Sequence, residues 1–207
     1  MTVIQRKEIE EHGSCLSNWN HFAKPAVYKV RTREGWVVVK DVSKKNLFIR
    51  WTIGWWLISK EWRTYSKLRG IEGIPRVLQR IDRFAFAMEF IEGRPLERRE
   101  RPPSSFWRAL EKVLDEVHRR RIVHLDLRHK GNILISDEGK PFLIDFNSSF
   151  SFAKGWPLNS LLFPLLVRID RGGFLKLKER VAPSLLTSEE RAFLTRFNRL
   201  RKLWIFS

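Results

Sequence analysis

The chain has 207 residues, 43% of them hydrophobic, which is enough for one domain or for two small lobes that share a cleft. Forty Lys and Arg against 23 Asp and Glu give a formal net charge of +17, a balance that attracts polyanions such as nucleic acid, an anionic membrane or phosphorylated substrates. The single cysteine, Cys15, excludes an internal disulfide framework and fits a reducing cytoplasm.

The charged stretch Ile4–Glu11 speaks against a secretory signal. Two apolar stretches come closest to a membrane span, which needs roughly 20 apolar residues. Trp51–Ile58 is too short, and Trp156–Ile169 is interrupted by Asn159, Pro157, Pro164 and Arg168. Nine Trp accompany the positive charge. That combination suits a membrane interface, stacked bases or simply a Trp-rich core.

In chain order, the first 24 residues carry no clear pattern. Ala26–Arg31 alternates, Thr32–Gly35 turns and Trp36–Asp41 returns, a hairpin whose second run closes on Lys40. Leu47–Arg69 reads as a helix with a hydrophobic lead-in. Leu57, Ile58, Glu61, Tyr65 and Leu68 fall on one of its faces, and Trp55, Trp56 and Trp62 form a second, aromatic one. Glu61 is therefore a carboxylate on an apolar stripe. Buried alone it would be costly, so it calls for a cation, and Lys40 is the obvious one. Gly70–Gly73 and Pro75 end the helix. Val77–Ile81 and Phe84–Phe90 read as a strand pair around Asp82 and Arg83, and Gly93 lets the chain turn.

Arg94–Pro103 is a basic linker. Ser104 caps a helix running to about Arg121, with Phe106, Leu110, Val113, Leu114 and Val117 inward. The Arg residues at 119–121 complement the helix dipole. His118 and His124 lack metal-ligand neighbours, which excludes a zinc site. His124–Phe146 reads HLDLRHKGNILISDEGKPFLIDF. Ser136–Pro141 has turn chemistry between two apolar runs, Ile133–Ile135 and Phe142–Ile144, so these form an antiparallel hairpin. Its open end brings together the Asn132 amide and the Asp145 carboxylate, two oxygen donors suited to a hard cation with phosphates completing the shell. Beyond Asn147, Gly155–Arg171 is apolar with two prolines and runs into Gly172-Gly173. Phe174–Arg180 and Thr187–Leu203 look helical. The latter is strongly basic and opens on a capping-box pattern at Thr187.

The H-x-D…N…D-F spacing resembles the catalytic loop and metal-binding strand of protein-kinase-like phosphotransferases. The resemblance covers roughly residues 25–150. Only about sixty residues follow Asn147, and no A-P-E follows it, so the chain is more similar to minimal kinases than to a full eukaryotic protein kinase. These include the lipopolysaccharide Kdo and heptose kinases of bacteria and the RIO and Bud-type atypical kinases. The resemblance implies an α+β, two-lobed fold. Residues 1–92 form a small β-rich N-lobe with one helix, which binds nucleotide, and 93–207 a reduced, mostly helical C-lobe. ATP binds between the lobes with Mg²⁺.

It also implies roles for single residues. Lys40, held by Glu61, grips the ATP phosphates. Asn132 and Asp145 hold Mg²⁺. Asp126 orients the acceptor hydroxyl and takes its proton. Arg128 or Lys130 neutralises the transferred phosphoryl group. Ala85–Leu96 resembles the edge strand and hinge, with Met88 behind adenine and the Glu89 carbonyl and Ile91 amide bonding it. His124 packs on Phe146. The departures are specific. No G-x-G-x-x-G loop precedes Lys40, so phosphate cover falls to Asn20–Lys24, with Lys24 supplying charge. Leu125 replaces the loop Arg, which speaks against regulation by an activation-loop phosphate. The loop from Asp126 to Asn132 is one residue longer than usual. D-F-G is D-F-N, with Asn147 suited to the left-handed turn.

The implied activity is ATP- and Mg²⁺-dependent transfer of a phosphoryl group to a hydroxyl. The acceptor is a protein Ser or Thr, or a lipid-linked saccharide such as lipopolysaccharide core. The basic, Trp-rich surface and the missing peptide-docking segment favour the saccharide. The setting is cytoplasmic, with peripheral contact to an anionic membrane. Two other readings stand beside it. A pseudokinase would keep the fold and bind partners, and a nucleic-acid-binding module would use the charge alone. No helix-turn-helix or aromatic RNA platform supports the latter.

Overall fold

The computed structural model describes residues 4–16, 24–153 and 157–203, and it divides into two compact units, Met1–Glu92 and Gly93–Ser207. The first is built on a five-stranded antiparallel sheet of order β1-β2-β3-β5-β4. Its strands are β1 (Ser14–Cys15), β2 (Ala26–Thr32), β3 (Gly35–Asp41), β4 (Val77–Arg80) and β5 (Ala85–Glu89). Its helices are α1 (Arg6–His12), the single turn α2 (Leu47–Ile49) and α3 (Trp55–Lys67).

The period-2 alternation of the strands sorts side chains onto two faces. Val37, Val39, Ala85 and Ala87 join Ala26, Tyr28 and Val30 in a core closed by Ile4 and Ile9 at α1. The intervening residues face the other way, where Phe86 meets Trp62 and Tyr65 of α3 at ring-centroid distances of 5.8 and 6.4 Å. Lys40 pairs across the ladder with Phe86 and so points to the α3 side. Arg6 fixes α1 to the sheet, donating from Nη1 to Asp41 at 3.0 Å and from Nε to Asp82 at 2.8 Å.

Two expectations for this unit need correction. The Ala85–Glu89 strand is internal, flanked by β3 and β4, because Ala85–Met88 is buried on both faces and leaves no solvated edge. The edge is β4. The helix expected over 47–69 is not uniform either, since a π-helical turn at Arg50–Gly54 joins α2 to α3.

The second unit contains β6 (Gly93–Pro95), β8 (Ile133–Ser136) and β9 (Pro141–Leu143) in a three-stranded sheet of order β6-β8-β9. A second, two-stranded ladder joins β7 (Ile122–Val123) to β10 (Phe150–Ser151). The helices are α4 (Ser104–Arg119), α5 (Pro157–Val181) and α6 (Ser188–Leu203). Phe106, Leu110, Val113, Leu114 and Val117 are buried, as the α4 stripe requires. Its N-cap position is Pro103 rather than Ser104, whose hydroxyl instead accepts from Arg108 Nη1 at 3.2 Å. Thr187 and Glu190 form the reciprocal capping box, with Thr187 N donating to Glu190 at 2.8 Å and Glu190 N to Thr187 Oγ1 at 3.2 Å.

The expected break before Phe174 is absent, since α5 runs straight through Gly172-Gly173. The glycines are notches, not stops. A Cβ on Gly172 would come within 2.4 Å of the Phe197 ring on α6, and one on Gly173 within 3.3 Å of Leu127. Close approach of neighbours, rather than chain reversal, explains both.

Gly93 is the tightest backbone position in this unit. A Cβ there would lie 2.2 Å from the Ile135 carbonyl oxygen on β8. Gly139, at φ +77°, has open space around it. Gly139→Ala should therefore cost only the left-handed penalty of about 1–2 kcal/mol. Gly93→Ala should cost more, about 3 kcal/mol, because β6 must separate from β8. Urea unfolding of both variants checks the order, and equal losses would refute the packing argument.

Candidate active site

The first unit brings Lys40 and Glu61 together. β3 delivers Lys40 to the α3 face of the sheet, and the helical period of α3 delivers Glu61 to the sheet. Lys40 Nζ donates to Glu61 Oε1 in a close ion pair, with Glu61 fully buried and Lys40 nearly so. Desolvating two charges is expensive, and an apolar pair of the same volume would serve stability as well or better. What the pair supplies is a cation held at a fixed place on the sheet.

The second unit builds a polar cluster of its own from the hairpin. β8 and β9 pair in the register Ile133 opposite Leu143, and Ile144 N donates to Asn132 O at 2.8 Å. Asn132 and Asp145 therefore stand at the same open end. Asn132 Nδ2 donates to Asp126 Oδ2 and to the Asp126 carbonyl, each at 2.9 Å. Its nitrogen end is thus committed to Asp126, and its oxygen end is the atom suited to a hard cation. Together with the Asp145 carboxylate, this donor set fits Mg²⁺, which keeps several waters and takes the rest of its shell from phosphate.

The D-F-N turn differs from expectation. Asn147 does not adopt the left-handed conformation; it lies in a 3₁₀ turn, Phe146–Ser148, and Asp145 itself takes φ +64°. The Asn147 side chain has another use, donating from Nδ2 to Asp145 Oδ1 at 2.6 Å. The amide that replaces the usual glycine holds the carboxylate it follows.

Among the described residues, three non-glycines have positive φ: Arg121, Leu125 and Asp145. All three lie in or beside the loop and hairpin that present Asp126. Such strain persists only where the surroundings over-determine it. For Leu125 the cause is Asp170, a fully buried carboxylate on α5 that sequence reasoning missed. It accepts from His124 N and Leu125 N, each at 2.7 Å, and lies 3.0 Å from His118 Nε2. The one available signal was a carboxylate following the apolar run Leu165-Leu166-Val167 with Ile169 beside it. His124 packs edge-on against Phe146 at 4.7 Å. Its Nδ1 accepts from Asp126 N at 3.3 Å, so Nε2 carries the proton donated to Ile144 O at 3.0 Å. Burial pushes the His124 pKa below its ordinary value, and this outweighs the opposing pull of the Ile144 carbonyl and nearby carboxylates.

The other predicted residues are more dispersed. Arg128 and Lys130 are exposed on the loop. Met88 is buried beside Val38 on β5, on the same sheet face as Lys40. The Glu89 side chain engages Arg76, from Nε at 3.3 Å, and Ile91 is half-buried beyond β5. Lys24 is exposed, and Asn20–Ala23, expected to cover phosphates, lies outside the described residues.

Two outcomes follow for stability. Asp170→Asn leaves one acceptor oxygen for two buried backbone N–H groups and should cost about 2–3 kcal/mol in urea unfolding; a loss under about 0.5 kcal/mol would show that α5 does not hold the loop. His124 is neutral when folded, with its pKa lowered, so its contribution is complete above the unfolded value of about 6.5. It is lost as pH falls from there through the folded pKa, at up to about 1.4 kcal/mol per pH unit. His124→Gln should flatten that part of the stability–pH curve by one proton, measured by unfolding at pH 7.5 and 5.5.

Residues 26–155, more than half of the chain, match the family model of the RIO domain. The matched span contains Lys40, Glu61, Asp126, Asn132 and Asp145. No curated protein matches the chain. With its β-sheet N-terminal unit and largely helical C-terminal unit, the chain belongs to the RIO family of atypical, kinase-like, ATP-binding phosphotransferases.

Proposed function

We propose that the chain is an active kinase that transfers the γ-phosphoryl group of Mg-ATP to a hydroxyl on its acceptor. The observation that carries this reading is the buried Lys40–Glu61 pair. A chain that only bound partners would be at least as stable with apolar residues there. Lys40 binds the α- and β-phosphates, and Glu61 fixes its direction. Asn132 and Asp145 would hold Mg²⁺, which would offset charge on the phosphates. Asn147 keeps the Asp145 carboxylate aimed. Asp126, steadied by Asn132, orients the acceptor hydroxyl and takes its proton as the new P–O bond forms and the bond to ADP breaks. Arg128 and Lys130 are the loop cations nearest in sequence to the reacting group. Met88, the Glu89 carbonyl and the Ile91 amide hold adenine, and Lys24 adds charge near the phosphates.

For the acceptor we favour a saccharide hydroxyl on a lipid carrier over a protein Ser or Thr. The net charge of +17 suits a phosphorylated, membrane-borne substrate. The reaction belongs on the cytoplasmic side, where ATP is supplied. No helix among the described residues is long and apolar enough to cross a membrane.

The test is ATP turnover with Mg²⁺ in the natural chain, Asp126→Asn and Asp145→Asn. Asp126→Asn should bind nucleotide normally and lose roughly 10²-fold or more in transfer. Asp145→Asn should lose Mg²⁺-dependent binding as well. Label from γ-labelled ATP should enter lipid-linked saccharide rather than protein. Binding without turnover on any acceptor would leave a partner-binding pseudokinase, and no binding of Mg-ATP would remove the site assignment.

A further inference from the structure

The helical stretch that carries Glu61 begins with a surface of a different kind. Leu47, Phe48, Trp51, Ile53, Trp55 and Trp56 are exposed by 69, 74, 49, 44, 43 and 55%. Leu47, Phe48, Trp51 and Trp55 follow the spacing of one helical face, while Ile49, Gly54, Ile58 and Glu61 are buried on the other. Six large apolar side chains left to water within ten residues far exceed the scattered exposure that needs no explanation.

The charge within this stretch has one sign. From Val42 to Lys60 there is no Asp or Glu, whereas Lys44, Lys45, Arg50 and Lys60 all fall in that stretch. Cations also rim the rings. Lys60 Nζ lies 5.2 Å from the Trp56 ring centroid, and the Arg83 guanidinium lies 4.9 Å from that of Trp51. Trp51 stands edge-on to Phe84 at 5.1 Å, and Arg50 lies 5.2 Å from Phe84. The arrangement is an apolar centre of Leu, Phe and Trp with Lys and Arg at its border.

We infer that this face, Leu47 to Trp56 with its rim of Lys and Arg, docks onto the surface of an anionic phospholipid bilayer. Trp favours the headgroup level, where its ring is half in hydrocarbon and its N–H is in water. Lys and Arg reach anionic headgroups while their stems stay on apolar surface. The stretch is too short to span, so it lies in the interface plane. A nucleic acid would match the charge but has no use for exposed Leu47 and Ile53. The inference does not depend on the kinase reading, because it concerns a different face and needs no nucleotide.

The experiment is flotation of the full chain, without ATP, with vesicles of phosphatidylglycerol and phosphatidylcholine in equal parts and with vesicles of phosphatidylcholine alone. The chain should float with the anionic vesicles and much less with the neutral ones. The double variant Phe48→Glu/Trp56→Glu changes two of the most exposed side chains and should weaken binding roughly tenfold or more at an unchanged melting temperature. A second readout stands should that variant fold poorly. A polarity-sensitive dye on Phe48→Cys in a Cys15→Ser background should shift to the blue on anionic vesicles. The same dye on Glu34→Cys in that background, in the exposed turn at the end of the β2–β3 hairpin away from Asp41, should not shift. No flotation of the natural chain, equal flotation of the double variant, or an unmoved dye at position 48 would overturn the inference. A concentration-dependent dimer abolished by the double variant, with no vesicle binding, would assign the face to a second copy of the chain instead.

Discussion

A carboxylate with no access to water sets the terms for the first unit. Glu61 is fully buried inside the sheet–helix layer, and Lys40 meets it there in an ion pair. The requirement fixes the register of β3 against β5, because a one-residue slip would send Lys40 to the α1 face of the sheet. It fixes the rotation of α3 as well. Phe86, opposite Lys40 on the ladder, then packs under Trp62 and Tyr65 and closes the layer around the pair. An apolar core alone would tolerate several rotations of α3. A buried charge pair tolerates few.

The second unit solves a related problem without a full ion pair. Asp170 places its carboxylate against two consecutive backbone N–H groups, and Leu125, which carries the second, takes a conformation it would not choose by itself. The loop is drawn taut from one side by α5, while Asn132 holds Asp126 from the other. Leu127 then lies against the Gly173 backbone, where a larger residue would push the loop away. Helix α5 thus acts on the loop twice within four residues, once by hydrogen bonding and once by the absence of a side chain.

Much of this was legible in the sequence where the pattern was local. Period-2 alternation and turn residues gave the β2–β3 and β8–β9 hairpins, and the 3.6-residue period put Glu61 on an apolar stripe that demanded a cation. The Asn132–Asp145 mouth follows from the hairpin register alone. What escaped was tertiary. Asp170 stands 45 and more residues from the amides it serves, and inside an apolar run nothing nearby marks its purpose. Gly172-Gly173 looked like a stop because intrinsic propensity disfavours glycine in helices, but packing against Phe197 and Leu127 overrode it. Asn147 suits a left-handed turn by residue type. The turn instead falls on Asp145, where a hydrogen bond from Asn147 holds the side chain. The internal position of β5 depended on where β4 adds to the sheet, which no local pattern encodes.

The complete burial of Glu61 also constrains how this chain can change over generations. Losing either member alone breaks a buried ion pair, at a cost of about 3–5 kcal/mol, a large part of what a domain of this size has in reserve. Losing both together to apolar residues is nearly neutral for folding. Single replacements at either position are therefore opposed by folding itself, and the two positions are free to change only together. In stability terms Lys40 and Glu61 behave as one character rather than two.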